Sequence, residues 1–452
     1  MAKERENFNS SLTAVMALAG SAIGLGNIWR FPYMVGQNGG AAFIIIYLVS
    51  SVLLSLPILM SESIIGHKTG QGTFGAMDTL APGTKWKWLG LLTIVSPLII
   101  LSYYSVVGGW SISFLLQSLS KGFHSAEQVS TMFSGLISSA WTPVIFHTFF
   151  LLFCAFVVSA GITSGIEKFN KYTMPMLFVL IVLIMVYSLN LPGASKGVEY
   201  MIKPDFSKLN GHAIASAMGQ SFFSLSLGVG TILTYSSYIR KDKNILTAGL
   251  GTAGFDLLFA LIAGFAIMPA VFAAGIEPGA GPGLIFETLP HIFVRMGEGA
   301  PVLVRIVAVL FFVTIVFAAL TSAISMYEVG VTYLVDEKKI SRRKATVLIF
   351  AGTWTLGALC SLSFGPLADF KILGQTLFNF CDLLTSNFLM TFGGLLFVIF
   401  VGWKMDKTTV RDEFTNGGRA KFNCALFDTF YFLLKYIAPV AIVVIFITNF
   451  VG

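Results

Sequence analysis

The sequence predicts an all-α, polytopic membrane protein with eleven transmembrane helices, of which the first and the sixth are broken. The composition is the first observation, because 55% of the residues are hydrophobic, 11% are charged and the mean hydropathy is +0.81. Such a chain has too few polar residues to cover a water-facing surface. The second observation is that apolar runs of about 20 residues, which cross roughly 30 Å of hydrocarbon as helices, recur along the whole length. The third is that two of these runs contain glycines near their middle.

The apolar runs define the predicted spans. A β-barrel would show short segments of alternating hydrophobicity instead of these long continuous runs. The eleven spans, numbered in chain order, are expected near residues 10–35, 41–66, 88–119, 142–160, 168–190, 213–238, 245–275, 301–335, 345–363, 370–402 and 426–450.

No soluble domain is expected between the spans. Segment 276–300 is predicted as a loop, a short apolar helix and a loop, which either cap a vestibule or form a packed connection. The predicted units are an N-terminal segment 1–9, a first repeat 10–190 with spans one to five, a loop 191–212, a second repeat 213–402 with spans six to ten, a loop 403–425, and span eleven with the C-terminus at 426–452.

The net charge of +7 is explained by orientation, so we expect a lipid bilayer and no nucleic acid as the partner of the basic residues. Lys and Arg residues on the N-terminal side of the spans outnumber those on the other side by twenty to seven. The positive-inside rule therefore predicts a cytoplasmic N-terminus and, after eleven spans, an extracellular C-terminus. We expect a multi-pass protein of the cell (inner) membrane. The first residues, MAKERENFNSSLTAV, lack a small-residue cleavage site, and we expect no removable signal peptide.

The two glycine-interrupted spans suggest a binding site between two halves of the protein. The stretches are ALAGSAIGLGNIWRFPY at 17–33 and GQSFFSLSLGVGT at 219–231. Spans one and six are five helices apart, which is typical of inverted repeats that bind substrate near the membrane midplane. Freed N–H groups attract a carboxylate and freed carbonyls attract a cation, so the pair suits an amino acid together with an alkali ion. The alternative is that the glycines only allow close helix packing.

Asp256, in GFDLLFALIAGF, is the most informative single residue. A carboxylate in so apolar a span is costly, and an ion or proton site is the default hypothesis for it. The alternative is a structural Asp256 paired with a buried cation.

Several long motifs resemble those of the neurotransmitter:sodium symporter family, and the resemblance covers the whole chain. It implies an eleven-span bacterial member with a five-plus-five inverted repeat. The implied activity is sodium-coupled symport of neutral hydrophobic L-amino acids, aliphatic and aromatic and including Leu and Trp, by alternating access, with a monomer sufficient for transport. The motifs are GSAIGLGNIWRFPY at 20–33, NGGAAF at 38–43, SYY at 102–104, GIEKFNKYTMP at 165–175, GQSFFSLSLGVG at 219–230 and FAALTSAISM at 317–326.

The resemblance also implies two sodium ions and the groups that bind them. The first site would use the backbone oxygen of Ala22, the side chains of Asn27, Ser224 and Asp256, and the substrate carboxylate. The second would use the backbone oxygens of Gly20, Ile23 and Ala318 with the hydroxyls of Thr321 and Ser322. These are hard oxygen ligands, which suit an alkali cation better than zinc or copper. Without the family, the two hydroxyls would more often bond to their own helix.

Asp256 also bears on chloride, because its position resembles an asparagine in chloride-dependent relatives. A fixed negative charge there could replace the anion, and we expect no chloride requirement.

The implied substrate pocket contains no charged side chain, which favours neutral amino acids. Val229 stands where some relatives have a bulkier Phe, and the adaptable Met326 lies opposite, so large side chains should fit. The predicted lining is Ser21, Ala22, Leu25, Gly26, Ile100, Tyr104, Phe223, Ser224, Ser226, Val229, Ser322 and Met326.

The resemblance further implies two gates. Arg30 and Asp382 would close the extracellular side, while Arg5 and Asp336 would close the cytoplasmic side beside Ser237 and Tyr238. The family commonly has Trp where this chain has Phe8, and Glu62 is expected to accept hydrogen bonds from the unwound backbone of span six.

The sequence also bears on three other classes of protein. A channel is disfavoured because no continuous polar stripe is visible. An enzyme is disfavoured because the chain has neither HExxH nor GxSxG. A sensor that binds an amino acid without moving it stays open.

Overall fold

The computed structural model describes residues 6–275, 283–297 and 301–451. Within these residues nine helices are long and apolar enough to cross a membrane. They are Ala41–Thr69, Lys87–Ser120, Thr142–Ser159, Ile162–Leu189, Ile245–Ala273, Pro301–Asp336, Arg342–Leu362, Leu377–Lys404 and Lys421–Thr448. The predicted all-α, polytopic fold is confirmed.

Span one is a broken helix, as expected. It consists of Ser11–Ala22 and Gly26–Gln37, whose axes are bent by 59° at the break. Counted as one span, this pair raises the number to ten among the described residues.

Span six is interrupted more deeply than span one. Its two helices, Gly211–Ser224 and Thr231–Ser236, are separated by residues 225–230. Neither is long enough to cross a membrane alone, and the total is eleven only if the two are taken together as one span.

Three predicted starts were wrong by five to seven residues, and one of them is span five, which begins at Ile162 instead of near 168. Span ten begins at Leu377 instead of near 370, because Lys371–Ile372 and Gln375–Thr376 pair as an antiparallel hairpin before it. Leu373 and Gly374 both have positive φ, which turns the chain between the two strands. Span eleven begins at Lys421, five residues earlier than expected.

Short helices connect the spans. Segment 276–300 contains the expected apolar helix, which is π-helical over Leu284–Thr288 and α-helical over Leu289–Gly297. Phe286 of this helix packs on Trp110, with ring centroids 5.9 Å apart. The other connecting helices are Thr73–Leu80, Ala126–Ser138, Ala194–Ile202, Phe206–Lys208 and Lys407–Thr415.

The outer surface of the bundle is apolar. On span five, Val179, Leu183 and Val186 are spaced so that they share one helix face, and each is at least half exposed. An exposed apolar stripe of this kind suits lipid contact.

Glycine is required at the break in span six. Gly228 and Gly230 have φ of 80° and 71°, in the left-handed region that residues with a side chain rarely adopt. A Cβ atom on Gly228 would also lie 2.0 Å from the carbonyl oxygen of Met390 in span ten. The break therefore depends on both the conformation and the close approach of span ten.

Gly228→Ala should lower the free energy of unfolding by more than about 2 kcal/mol, because it combines an unfavourable φ with a backbone clash. Gly219→Ala is the matched control. Gly219 lies in the helix that precedes the break, and its added Cβ would have only Ile445 Cγ2 within 4 Å, at 3.7 Å. Detergent-stable yield and unfolding in SDS mixed micelles measure the difference. Equal behaviour of the two variants would contradict this account of the break.

Candidate functional site

The break in span one exposes backbone groups at the centre of the bundle. Ile23 is extended, with φ of −68° and ψ of 112°. The next two amides leave the helical pattern, because Gly24 N–H donates to Asn27 Oδ1 at 3.1 Å and Leu25 N–H donates to the Tyr104 hydroxyl at 3.2 Å. The break therefore falls at residues 23–25.

The glycines of span one have a different role from those of span six. Gly20, Gly24 and Gly26 are not among the described residues with positive φ. They allow close approach instead, since a Cβ on Gly24 would lie 2.6 Å from Ser322 Oγ and one on Gly26 would lie 3.2 Å from the Phe223 ring.

The side chains predicted for the first sodium site converge. Asn27 Nδ2 donates to Asp256 Oδ1 at 2.7 Å and to Ser224 Oγ at 3.0 Å. The Ser224 hydroxyl donates to Asp256 Oδ2 at 2.8 Å. Asp256 is 1% exposed and forms no ion pair with a Lys or Arg of the described residues. A buried carboxylate with only neutral partners favours a cation beside it. Ala22, the remaining predicted protein ligand, lines the adjoining cavity.

Four of the five groups predicted for the second sodium site also meet. The Ile23 carbonyl accepts from Thr321 Oγ1 at 3.3 Å and from Ser322 Oγ at 3.1 Å. The Thr321 hydroxyl also lies 3.0 Å from Ala318 O, so the alternative of a bond to its own helix is present at the same time. Gly20 lies in the last turn of the helix that ends at the break.

One cavity of about 550 Å³ adjoins these groups, and Ala22, Ser224 and Ser322 are the predicted sodium ligands that line it. Eleven of the twelve predicted substrate positions line it, namely Ala22, Leu25, Gly26, Ile100, Tyr104, Phe223, Ser224, Ser226, Val229, Ser322 and Met326. Ser21 does not, because its hydroxyl donates to Ser325 Oγ at 2.8 Å and is buried. The cavity extends past Arg30 and Asp382 to Phe133 of the helix Ala126–Ser138.

The predicted outer gate residues face this cavity without a direct contact. Arg30 and Asp382 form no ion pair within 4 Å, and the Arg30 guanidinium instead lies 4.3 Å from the centroid of the Phe223 ring. Asp382 Oδ1 accepts from Ser386 Oγ at 3.0 Å. The cavity is therefore continuous between the two charged side chains.

The opposite side of the bundle, at the N-terminal segment, is closed by packing. Phe8 is 2% exposed and packs edge to face on Tyr235 and Tyr238, with centroids 6.0 and 6.1 Å apart. Ser237 is buried beside them, with its hydroxyl donating to Thr234 O at 2.6 Å. Of the predicted inner gate pair, Arg5 lies outside the described residues, and Asp336 ends span eight.

A buried ion pair lies on this side of the bundle, and the sequence-based predictions did not include it. Glu328 of span eight is fully buried and binds the Arg342 guanidinium through both carboxylate oxygens. It also accepts from the Tyr238 hydroxyl at 2.8 Å and from Thr332 Oγ1 at 3.0 Å. Arg342 Nε donates to Val158 O at 2.7 Å, which ties spans four, six, eight and nine together. The rule that singled out Asp256, a carboxylate within an apolar run, would also have found Glu328.

Glu62 supports the break in span six, as predicted. The Gly228 amide donates to Glu62 Oε1 at 2.7 Å. This contact satisfies one of the backbone groups that the break leaves without a helical partner.

A helical membrane bundle with two broken helices, and with buried oxygen groups around a central cavity, defines a membrane transporter. The sequence matches the Sodium:neurotransmitter symporter family over residues 5–131 and 128–452. The chain belongs to this family, and it is a sodium-dependent symporter rather than an enzyme.

Individual relatives agree with this assignment. The sodium-dependent transporter YhdH of Bacillus subtilis is 37% identical over 98% of this chain and 97% of its own length. A sodium-dependent transporter of Haemophilus influenzae is 34% identical over 99% of this chain and 98% of its own. The crystal structure of MhsT in complex with L-phenylalanine matches with a TM-score of 0.89 and 37% identity, covering 99% of this chain and all of MhsT.

Arg342→Met should lower the free energy of unfolding by about 3 kcal/mol, because it leaves the Glu328 carboxylate buried without its counter-charge. The double variant Arg342→Met/Glu328→Gln should recover most of this loss, since Gln keeps an acceptor oxygen without the charge. SDS unfolding in mixed micelles measures both.

Arg343→Met is the control, because Arg343 is the exposed neighbour of Arg342 on the same helix. An Arg342→Met loss no larger than that of the control, or a double variant that loses the sum of the single effects, would show that the pair has no coupled role.

Proposed function

We propose that the protein is a sodium-coupled symporter of neutral hydrophobic L-amino acids that works by alternating access. The observation that carries the proposal is the position of the buried Asp256 carboxylate, bonded to Asn27 and Ser224, behind a cavity that Ser224 lines together with Gly24 and Leu25, whose amides leave the helical pattern. A cation site and a carboxylate site side by side fit an amino acid bound together with sodium.

In this proposal the substrate carboxylate is a shared ligand. It would replace the Tyr104 hydroxyl as the partner of the Leu25 amide and would complete the first sodium site with Ala22 O, Asn27, Ser224 and Asp256. Sodium would bring together two anionic groups that otherwise repel each other in a buried site. The second ion would bind at Gly20, Ile23, Ala318, Thr321 and Ser322.

The pocket lining supports apolar side chains. Ile100, Val229 and Met326 are buried and uncharged, and the charged Arg30 and Asp382 lie at the outer end of the cavity. The small side chain of Val229 leaves room for aromatic substrates as well as for Leu, Ile and Val. MhsT, which binds L-phenylalanine in its crystal structure, is consistent with this range. The hydroxyl of Ser21 would act behind the lining, through Ser325.

Alternating access would require two gates and an orientation. Arg30, Asp382 and Phe223 would close the extracellular side over the substrate. Arg5, Asp336, Ser237 and Tyr238 would close the cytoplasmic side, where the N-terminus lies, with the C-terminus outside the inner membrane. The halves 10–190 and 213–402 would rock as inverted repeats, and one monomer would suffice.

Chloride should not be required. In this proposal Asp256 and the substrate carboxylate already bring two anions to the first sodium site, and a chloride ion there would be a third and would add like-charge repulsion.

Uptake of labelled leucine, phenylalanine or tryptophan into proteoliposomes tests the proposal. An inward sodium gradient should drive accumulation above the external concentration, and replacing sodium by choline should abolish it. Replacing chloride by gluconate should leave the rate unchanged, whereas a loss would refute chloride independence alone. Binding without accumulation would identify a sensor, and flux only down the substrate gradient would identify a channel.

Val229→Phe should weaken tryptophan transport by about tenfold or more and leucine transport much less, because the added ring occupies the space of the larger substrate. The lipid-facing variant Val186→Phe controls for expression, as Val186 is 51% exposed at the bundle surface. Competition of the two substrates against labelled leucine measures the effect. An equal loss for both would remove Val229 from the pocket.

A further inference from the structure

Asn170 of span five has a buried oxygen that no described residue binds. Its side chain is 1% exposed. The Nδ2 group donates to Ile166 O at 3.0 Å, one turn back in the same helix. Because a carbonyl can only accept, this bond fixes Nδ2 on the Ile166 side and leaves Oδ1 as the free atom. Within residues 6–275, 283–297 and 301–451, Asn170 Oδ1 is buried without a hydrogen-bond partner. Buried acceptors of this kind are rare and call for an explanation.

The free oxygen lies against the backbone of Gly20 in span one. A Cβ atom on Gly20 would lie 2.2 Å from Asn170 Oδ1, so only glycine leaves room for it. The carbonyl of Gly20 is one of the predicted ligands of that site, and the Ile23 carbonyl with the Ser322 hydroxyl follows one turn further. In a continuous helix the Gly24 amide would donate to Gly20 O. Here it donates to Asn27 Oδ1 instead.

A second oxygen group continues from Asn170 toward the N-terminal side of the bundle. Glu167 lies three residues earlier in span five, which places it on the same helix face. Its carboxylate is 4% exposed and accepts from the Asn9 backbone N–H and from Asn9 Nδ2 at 3.1 to 3.3 Å. No Lys or Arg of the described residues forms an ion pair with Glu167. Asn9 itself is exposed, so the Glu167 carboxylate is one contact away from the surface.

We propose that Asn170 Oδ1 receives the sodium ion as it leaves the second site toward the N-terminal side, with the Glu167 carboxylate as the next oxygen on its path. A sodium ion that leaves its ligands must replace them with other oxygens, because an apolar wall would make it cross unsolvated. The neutral amide offers one ligand without trapping the ion, and the carboxylate draws the ion onward. This inference rests on the proposed function, because it assumes a sodium ion at the second site.

The test separates ion release from substrate binding. Net sodium-driven uptake into sodium-free proteoliposomes requires sodium release inside on every cycle. Exchange of labelled for unlabelled amino acid with equal, saturating sodium on both sides does not, because the loaded carrier can return with its ions. Asn170→Leu has nearly the same shape without polar atoms, and Asn170→Asp keeps the oxygen.

Asn190→Leu is the matched control. Asn190 follows the last turn of the same helix, and its Nδ2 makes the same kind of bond, to Val186 O at 2.7 Å, but the side chain is exposed and far along the chain from the site.

We expect Asn170→Leu to slow net uptake by about tenfold while changing exchange by less than about twofold, a difference that reports a transition state of ion release. Asn170→Asp should keep net uptake closer to wild type than Asn170→Leu does. Net uptake of Asn170→Leu equal to that of Asn190→Leu would overturn the inference. So would a parallel loss of exchange, which would make Asn170 a structural residue. If the wild type itself shows no sodium-driven uptake, the proposed function fails instead, and the two results are distinguishable.

Discussion

The structure depends on one constraint, which is that backbone groups freed by a helix break must find partners where there is no water. Each of the two breaks, at residues 23–25 and 225–230, meets this constraint with side-chain partners, which come from other spans except for Asn27 of span one itself. Tyr104 and Asn27 bind the amides of the first break, and Glu62 binds an amide of the second. Thr321 and Ser322 bind the Ile23 carbonyl. Most of these partners are neutral groups, whose hydrogen bonds are weaker than those to charged groups. Ligands with a carboxylate or a positive charge can therefore replace them.

The same constraint explains how sodium and an amino acid could be coupled in the proposed function. Asp256 is buried among neutral donors, and one of these, Ser224, lines the same cavity as Gly24 and Leu25, whose amides are freed by the break. The Asp256 carboxylate or the substrate carboxylate alone would be poorly compensated there, whereas a sodium ion between them would neutralise both. The protein is also asymmetric, with a cavity continuous past Arg30 and Asp382 and with dense packing around Phe8 on the other side. Coupling would follow if the filled site allows the first side to close and the second to open.

Much of the fold and part of the candidate site could be predicted from the sequence, for identifiable reasons. Span positions follow from hydropathy, because about 20 apolar residues are needed to cross the bilayer. Asp256 and Glu62 could be singled out because carboxylates are rare in such runs. The start of span ten could not be predicted, since the hairpin before it depends on two consecutive left-handed residues, Leu373 and Gly374. The glycines of the two breaks look alike in sequence, yet only those of span six have positive φ. The orientation of the Asn170 amide depends on the bond from its Nδ2 to Ile166 O, which is visible only in three dimensions.

The central claim is that sodium and the amino acid share one site, and equilibrium binding tests it most directly. The affinity of the detergent-solubilised protein for L-phenylalanine would be measured as sodium is replaced by N-methylglucamine at constant ionic strength. The account predicts that affinity falls steeply as sodium is lowered, with a logarithmic slope that approaches about two over the range in which both sites empty. L-Phenylalaninol, which lacks the carboxylate, should lose the part of this dependence that comes from the first site. L-Phenylalanine binding that does not change with sodium would contradict the account.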